Sequence, residues 1–132
     1  MTWSELYCTG VAEIDAQHRQ IISLINALDD AMALGHGEVI VGTLLTELVA
    51  YCATHFATEE SLFDAHGYPG ALDHKQKHLK MTAKVHALQA DFQQGKSPSP
   101  AELLAFLERW LNKHILETDQ KYVPFLTGAG VH

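Results

Sequence analysis

The sequence predicts an all-α chain folded as an up-down-up-down antiparallel four-helix bundle with an ordered N-terminal arm. Three observations carry this reading. Apolar residues recur at steps of three and four along four separate segments, no stretch alternates with period two for long enough to argue a strand, and the connections are short and punctuated by glycine and proline. A chain of this length closes a single hydrophobic core, so one domain is expected over residues 1–132, with the arm over 1–12 and the bundle over about 13–123.

The arm carries Trp3, Leu6, Tyr7 and Val11 without a clean period, as a segment laid against a domain does. Asp15 can cap the first helix, whose apolar residues Ile21, Ile22, Ile25, Leu28 and Met32 recur until "LGHGE" stops it. The second helix begins after Gly37, runs its stripe through Val41, Leu45, Leu48, Cys52, His55, Glu59 and Leu62, and stops at "HGYPG". The third repeats the alternation through Ala71, His74, His78, Met81, Val85, Leu88 and Phe92, with Lys75, Gln76, Lys77 and Lys80 on the solvated side, and ends near "QQGKSPSP". The fourth carries Leu103, Leu107, Trp110, Leu111 and His114 before Pro124 forbids continuation.

Sixteen acidic against nine basic residues give a formal charge of -7, a surface that repels phosphate backbones and anionic lipid heads; nucleic acid is excluded as a partner. Polar residues break the apolar runs before they reach the length that crosses a bilayer, so membrane insertion is not expected. The start "MTWSELYCTG" lacks a basic leader and an apolar h-region, which makes the cytoplasm the expected location. Cys8 and Cys52 do not form a disulfide framework, and Cys52 reads as a small buried hydrophobe. The acidic surface shows no exposed apolar stripe, so a monomer is expected.

Histidines and acids interrupt the hydrophobic stripes where core residues belong. His55 and Glu59 stand one turn apart on the second helix, and His74 and His78 one turn apart on the third, so each pair points into the bundle. His18 lies one turn before the inward Ile22 and Ile25, and His114 continues the Leu107 and Trp110 stripe. In an antiparallel bundle all of these meet at one height: early in the first helix, late in the second, early in the third, late in the fourth. Buried ionisable groups escape their desolvation cost by neutralisation, pairing or metal coordination. One further acid completes the set, and two candidates stand. Asp119 lies five residues beyond His114, about 140° around an ideal helix, and needs a local departure of the backbone; Glu117 lies three residues on, without that demand.

Nitrogen and carboxylate ligands without thiolates suit iron, zinc or similar metals, and a set of seven exceeds the four of structural zinc. Two metal ions are implied. With both acids bridging and an oxo or hydroxo shared, five imidazoles leave one of twelve octahedral positions open; one metal takes three histidines and is closed, the other takes two and accepts a small ligand such as dioxygen. Oxygen-activating di-iron bundles use carboxylate-rich sets with Glu-x-x-His repeats, and this chain has none, which favours reversible binding over oxygenation. Ile21, Phe56, Trp110, Leu111 and Ile115 flank the site as apolar walls of an oxygen pocket, slowing the entry of water and anions.

On "VAEIDAQHRQI" with His18, "HFATEESLF" with His55 and Glu59, "HKQKH" with His74 and His78, and "HILETD" with His114 and Asp119, the chain closely resembles the hemerythrin family, and within it the single-domain bacteriohemerythrins. The likeness extends from Trp3 through "YVPFL". It implies Asp119 rather than Glu117 as the last ligand, Glu59 and Asp119 as bridges between two iron ions, His74, His78 and His114 on the saturated iron, and His18 and His55 on the open one. It further implies a non-enzymatic protein that binds dioxygen reversibly for storage, transport or delivery, with an oxygen-consuming protein as recipient. An oxygen or redox sensor is the alternative, as is a di-iron peroxidase or nitric oxide reductase. His36, His66, His86 and His132 match no ligand position.

Overall fold

The computed structural model describes residues 5–132; Trp3, assigned above to the arm, lies outside the described residues, and so does the side chain of Leu6. After a 3-10 turn at Glu5–Tyr7 come α1 (Ala12–Ala33), α2 (Gly37–His66), α3 (Ala71–Gln93) and α4 (Pro100–Lys113). A π-helical turn at His114–Thr118 and a 3-10 turn at Asp119–Tyr122 then lead into a short α5 (Val123–Gly128). The four long helices form the expected bundle, and no strand occurs among the described residues. α2 packs on both α1 and α3, and α4 closes against α1.

The start of α1 differs from expectation. Asp15 is not the cap: Val11, in extended backbone, precedes the helix, and Asp15 sits in its first turn. From there the Asp15 carboxylate reaches back to the arm and accepts from the Thr9 amide (2.7 Å) and the Thr9 hydroxyl (2.8 Å). A carboxylate at this place satisfies loop donors and faces the positive end of the helix. The arm is thereby latched, with Tyr7, Thr9 and Val11 all buried.

In α2 the stripe runs as predicted as far as Glu59, but Leu62 is only half-buried and Phe63 takes the inward place. Steps averaging 3.5 lag behind a helix of 3.6 residues per turn, so the inward position passes to the next residue. Gly67, at φ 68°, ends the helix in the left-handed region that favours glycine. By length and composition α2 could cross a bilayer, contrary to the expectation that no segment reaches that measure. In the fold it is the central helix, with its apolar residues turned onto α1 and α3 and with His55 and Glu59 in its buried face.

α3 buries a narrower face: His74, His78, Met81 and Val85 are buried, Leu88 is half-buried, and Phe92 is exposed at 37%. The Phe92 ring lies over Gly42, where an added Cβ would come within 2.6 Å of it; glycine lets the ring approach the α2 backbone. Ser99 caps α4 by accepting from the Glu102 amide (3.1 Å), and Pro100 opens the helix. Pro124 does not stop the helical run as predicted. It stands in the first turn of α5, where a missing amide hydrogen costs nothing, and so begins a helix.

The apolar interior falls into two parts with the histidine layer between them. The larger includes Ile21, Leu48, Cys52, Met81, Leu107 and Leu111; the smaller is Val11, Ile14, Phe63, Tyr122 and Leu126, backed by Phe125. Along α1 the order is Ile14, His18, Ile21; along α2 it is Cys52, His55, Glu59, Phe63. Leu48 is fully buried in the larger cluster, whereas Leu79 on α3 is 69% exposed. Leu48→Ala should therefore lower stability by about 2–5 kcal/mol and Leu79→Ala by less than about 0.5 kcal/mol in urea unfolding.

Candidate metal centre

All seven predicted side chains converge in one buried layer, and none of these residues is more than 4% exposed. Asp119 stands at the middle. Its Oδ2 faces His18 Nε2 at 3.0 Å and His55 Nε2 at 3.7 Å; its Oδ1 faces His114 Nε2 at 2.9 Å and His74 Nε2 at 3.0 Å. One carboxylate thus addresses two groups of imidazoles, one with each oxygen. Glu59 Oε1 lies 3.0 Å from His78 Nε2, 3.2 Å from His55 Nε2, 3.6 Å from His74 Nε2 and 3.8 Å from His114 Nε2.

The backbone departure that Asp119 needs is the π-helical turn. The Asp119 amide donates to the His114 carbonyl, a bond spanning five residues between the two functional positions themselves. A five-residue turn brings positions five apart onto one face, where a regular α-helix would leave them on different ones. Asp119 is fully buried, and Glu117 is exposed.

Three imidazoles are oriented from behind. His18 Nδ1 donates to the Tyr7 carbonyl (3.2 Å), so the latched arm reaches the site. The Thr58 hydroxyl donates to the Thr54 carbonyl (3.0 Å) and accepts from the Gln17 amide (2.9 Å), which turns the Gln17 oxygen to accept from His55 Nδ1 (2.7 Å). His78 Nδ1 donates to Glu60 (3.0 Å). With Nδ1 committed as donor, the Nε2 lone pair points inward, the tautomer a metal ligand requires. Sequence reasoning missed Gln17 and Glu60, although each adjoins a predicted site residue. It also missed Tyr51, one turn before His55, whose ring stacks on His55 at 5.3 Å, because the stripe was drawn through its neighbour Cys52.

Burial and the charge of Asp119 both push the Glu59 carboxyl up, yet His55, His114 and His74 outweigh them and hold it well below the usual carboxylate range. Burial likewise pushes Asp119 up, and His114, His18 and His55 bring it well below. For His114 burial pulls down, but Asp119 and Glu59 lift the imidazole to about 9; His74 is raised by the same two acids against the same burial. Burial, reinforced by these acids, keeps the hydroxyls of Tyr51 and Tyr122 protonated far above their ordinary range. Burial alone pushes the Cys52 thiol up to about 12, a neutral core group and not a thiolate ligand.

The donor set fits metal. His55 Nε2, His74 Nε2, His114 Nε2, Glu59 Oε2 and Asp119 Oδ1 are buried without a hydrogen bond, although they lie among one another. Orphaned lone pairs aimed into one space are costly unless a cation takes them. Two overlapping groups qualify, Glu59 with His74, His78 and His114, and His55, Glu59, His114 and Asp119, each with ligand atoms mutually within 4.8 Å. This pair of clusters is consistent with a di-iron site.

Of the predicted walls, Ile21, Leu111 and Ile115 are fully buried, Phe56 is 4% exposed, and Trp110 packs half-buried against them. Phe56 stacks on His78 (3.9 Å between ring centres) and Trp110 on His114 (4.7 Å). These two rings therefore back imidazoles assigned above to the saturated iron, though Phe56 also lies 5.8 Å from His55. His36, His66, His86 and His132 are all exposed.

Residues 9–126 match the model of the hemerythrin HHE cation binding domain. The chain is 36% identical over 123 residues to a bacteriohemerythrin of Pseudomonas paraeruginosa, covering 93% of this chain and 79% of that protein. It is 33% identical over 128 residues to a bacteriohemerythrin of Methylococcus capsulatus, covering 96% and 97% respectively. A crystal structure of wild-type hemerythrin superposes with a TM-score of 0.86 at 33% identity, covering 96% of this chain and 98% of that one.

Asp119→Ala should reduce bound metal sharply while Glu117→Ala retains the parent content, measured by elemental analysis of the purified variants. In protein stripped of metal, His114 is at about 9 folded against about 6.5 unfolded. Its stabilising contribution is full below about pH 6.5 and is lost as pH rises through about 9. The depressed Glu59 and Asp119 contribute above about pH 4 and lose their contribution as pH falls. The Tm of stripped protein should therefore be lower at pH 9 than at pH 6; an unchanged Tm would contradict these ionisation states.

Proposed function

The chain belongs to the hemerythrin family, and from that premise we propose that it binds dioxygen reversibly at a non-haem di-iron centre, for storage, transport or delivery of the gas. The observation that carries the reading is the division of the imidazoles by Asp119. Oδ2 serves His18 and His55, Oδ1 serves His74 and His114, and His78 joins the second side, its ring 4.6 Å from that of His74 and 5.4 Å from that of His114. Two histidines on one side and three on the other support one metal with room for a small ligand and one without.

A pair of ferrous ions, when bound, supplies the two electrons that reversible binding of dioxygen requires. The protein's part is to hold the pair and keep it dry. Glu59 and Asp119 would offset part of the charge of two such cations, and the five imidazoles would supply the neutral donors. The Gln17–Thr58 chain and the Tyr7 carbonyl hold the two imidazoles on the open side to one orientation. Ile21, Leu111 and Ile115 cover the layer on one side, and Phe63 and Leu126 on the other. Tyr51, stacked on His55, keeps its hydroxyl proton, so it offers a donor near the open side.

Anaerobically reduced protein should hold about two irons per chain and develop a visible charge-transfer band when oxygen is admitted, one that vanishes when oxygen is removed. Steady consumption of reductant with release of product would instead indicate an enzyme. His55→Ala should weaken retention on the two-histidine side, and Glu59→Ala should lower the content of both metals. Iron near two per chain in both variants would refute the ligand assignment.

A further inference from the structure

Five of the nine lysines and arginines of this acidic chain line one pocket: Lys77, Lys80 and Lys84 from α3, Arg109 and Lys113 from α4. Its floor is Met81, Phe106 and Trp110, with the site residue His114 and Thr118 at its inner end, and no carboxylate lines it. The pocket of about 430 Å³ occupies the seam between α3 and α4, the loosest of the four seams in the bundle.

The cations are arranged against their own stability. Lys80 and Lys84 stand one turn apart, as do Arg109 and Lys113, and like charges at that spacing repel. Lys77 has Asp73 at 3.4 Å, but among the described residues no carboxylate lies within ion-pair distance of the other four. Lys84 instead rests over the Phe106 ring at 5.8 Å. An anion seated between the two rows relieves that repulsion, and the aromatic floor sets a second requirement, for an apolar body.

We propose that this pocket binds a small organic anion with a flat apolar body, in chemical class an aromatic carboxylate. The ring lies on Phe106 and Trp110, and the carboxylate sits between Arg109, whose planar fork suits it, and Lys113. The size of the cavity fits a small molecule, and the net charge of -7 disfavours an extended polyanion such as nucleic acid. Occupancy is felt at the metal centre, because the Trp110 ring stacks on His114 at 4.7 Å with 12° between planes.

The test is isothermal titration of the iron-loaded protein with 2-naphthoate, against 2-naphthylmethanol, which lacks the charge, and inorganic phosphate, which lacks the ring. Saturable binding of one naphthoate per chain is expected, with both comparison compounds weaker by about tenfold or more. An Arg109→Ala, Lys113→Ala double variant should lose about tenfold or more in naphthoate affinity. Both side chains are exposed, so the fold should be kept, as far-ultraviolet circular dichroism checks. Lys75→Ala, outside the pocket and paired with Asp64, should bind as the parent does. Absence of naphthoate binding, equal binding of the alcohol, or an unaffected double variant would overturn the proposal. Phosphate binding as tightly as naphthoate would overturn it too, leaving a simple ion site.

Discussion

Every other feature of this fold answers to the burial of two carboxylates against five imidazoles. Taken from water without a counter-charge, these groups would cost more than the remaining core could offset. The fold meets the demand by bringing all of them to one height, so that Glu59 Oε1 and both oxygens of Asp119 have histidine nitrogens around them. The order of the helices follows. Only an antiparallel arrangement places a site residue early in α1 beside one late in α2, and early in α3 beside one late in α4.

The layer also divides what would otherwise be a single core. On one side lies the long apolar interior of the bundle, and on the other a small cluster of Val11, Ile14, Phe63, Tyr122 and Leu126. That cluster explains two segments outside the four helices. The latched arm and α5 have little helical stability of their own, and each gains order by covering one side of the charged layer. The arm does so twice, once through apolar burial and once by giving His18 a carbonyl to hold.

Much of this was legible in the chain. The four stripes, and the positions of His18, His55, Glu59, His74, His78 and His114 within them, follow from helical periodicity, which the structure obeys wherever the helices are regular. What was not legible lies where local chemistry overrides periodicity. Asp15 was read as a cap because a carboxylate before an apolar run usually is one, whereas its partner, Thr9, lies in an arm without a period. Pro124 was read as a stop because a proline breaks a helix it finds, but equally begins one. The π-helical turn could be demanded from the spacing of His114 and Asp119, yet the residues themselves also allowed Glu117. Side-chain chains such as Gln17 to Thr58 cross between helices, and a one-dimensional pattern carries no sign of them.

The end of the fourth helix gives the site unequal walls. His74 and His78 project from unbroken α-helix, where the hydrogen-bond ladder resists any displacement of one residue against the next. Asp119 instead hangs at the junction of a wide turn and a tight one, His114–Thr118 and Asp119–Tyr122. Such a junction is a spring in series with a strut. Any adjustment the layer makes therefore falls on the Asp119 side, where the backbone ladder is irregular, before it falls on α3.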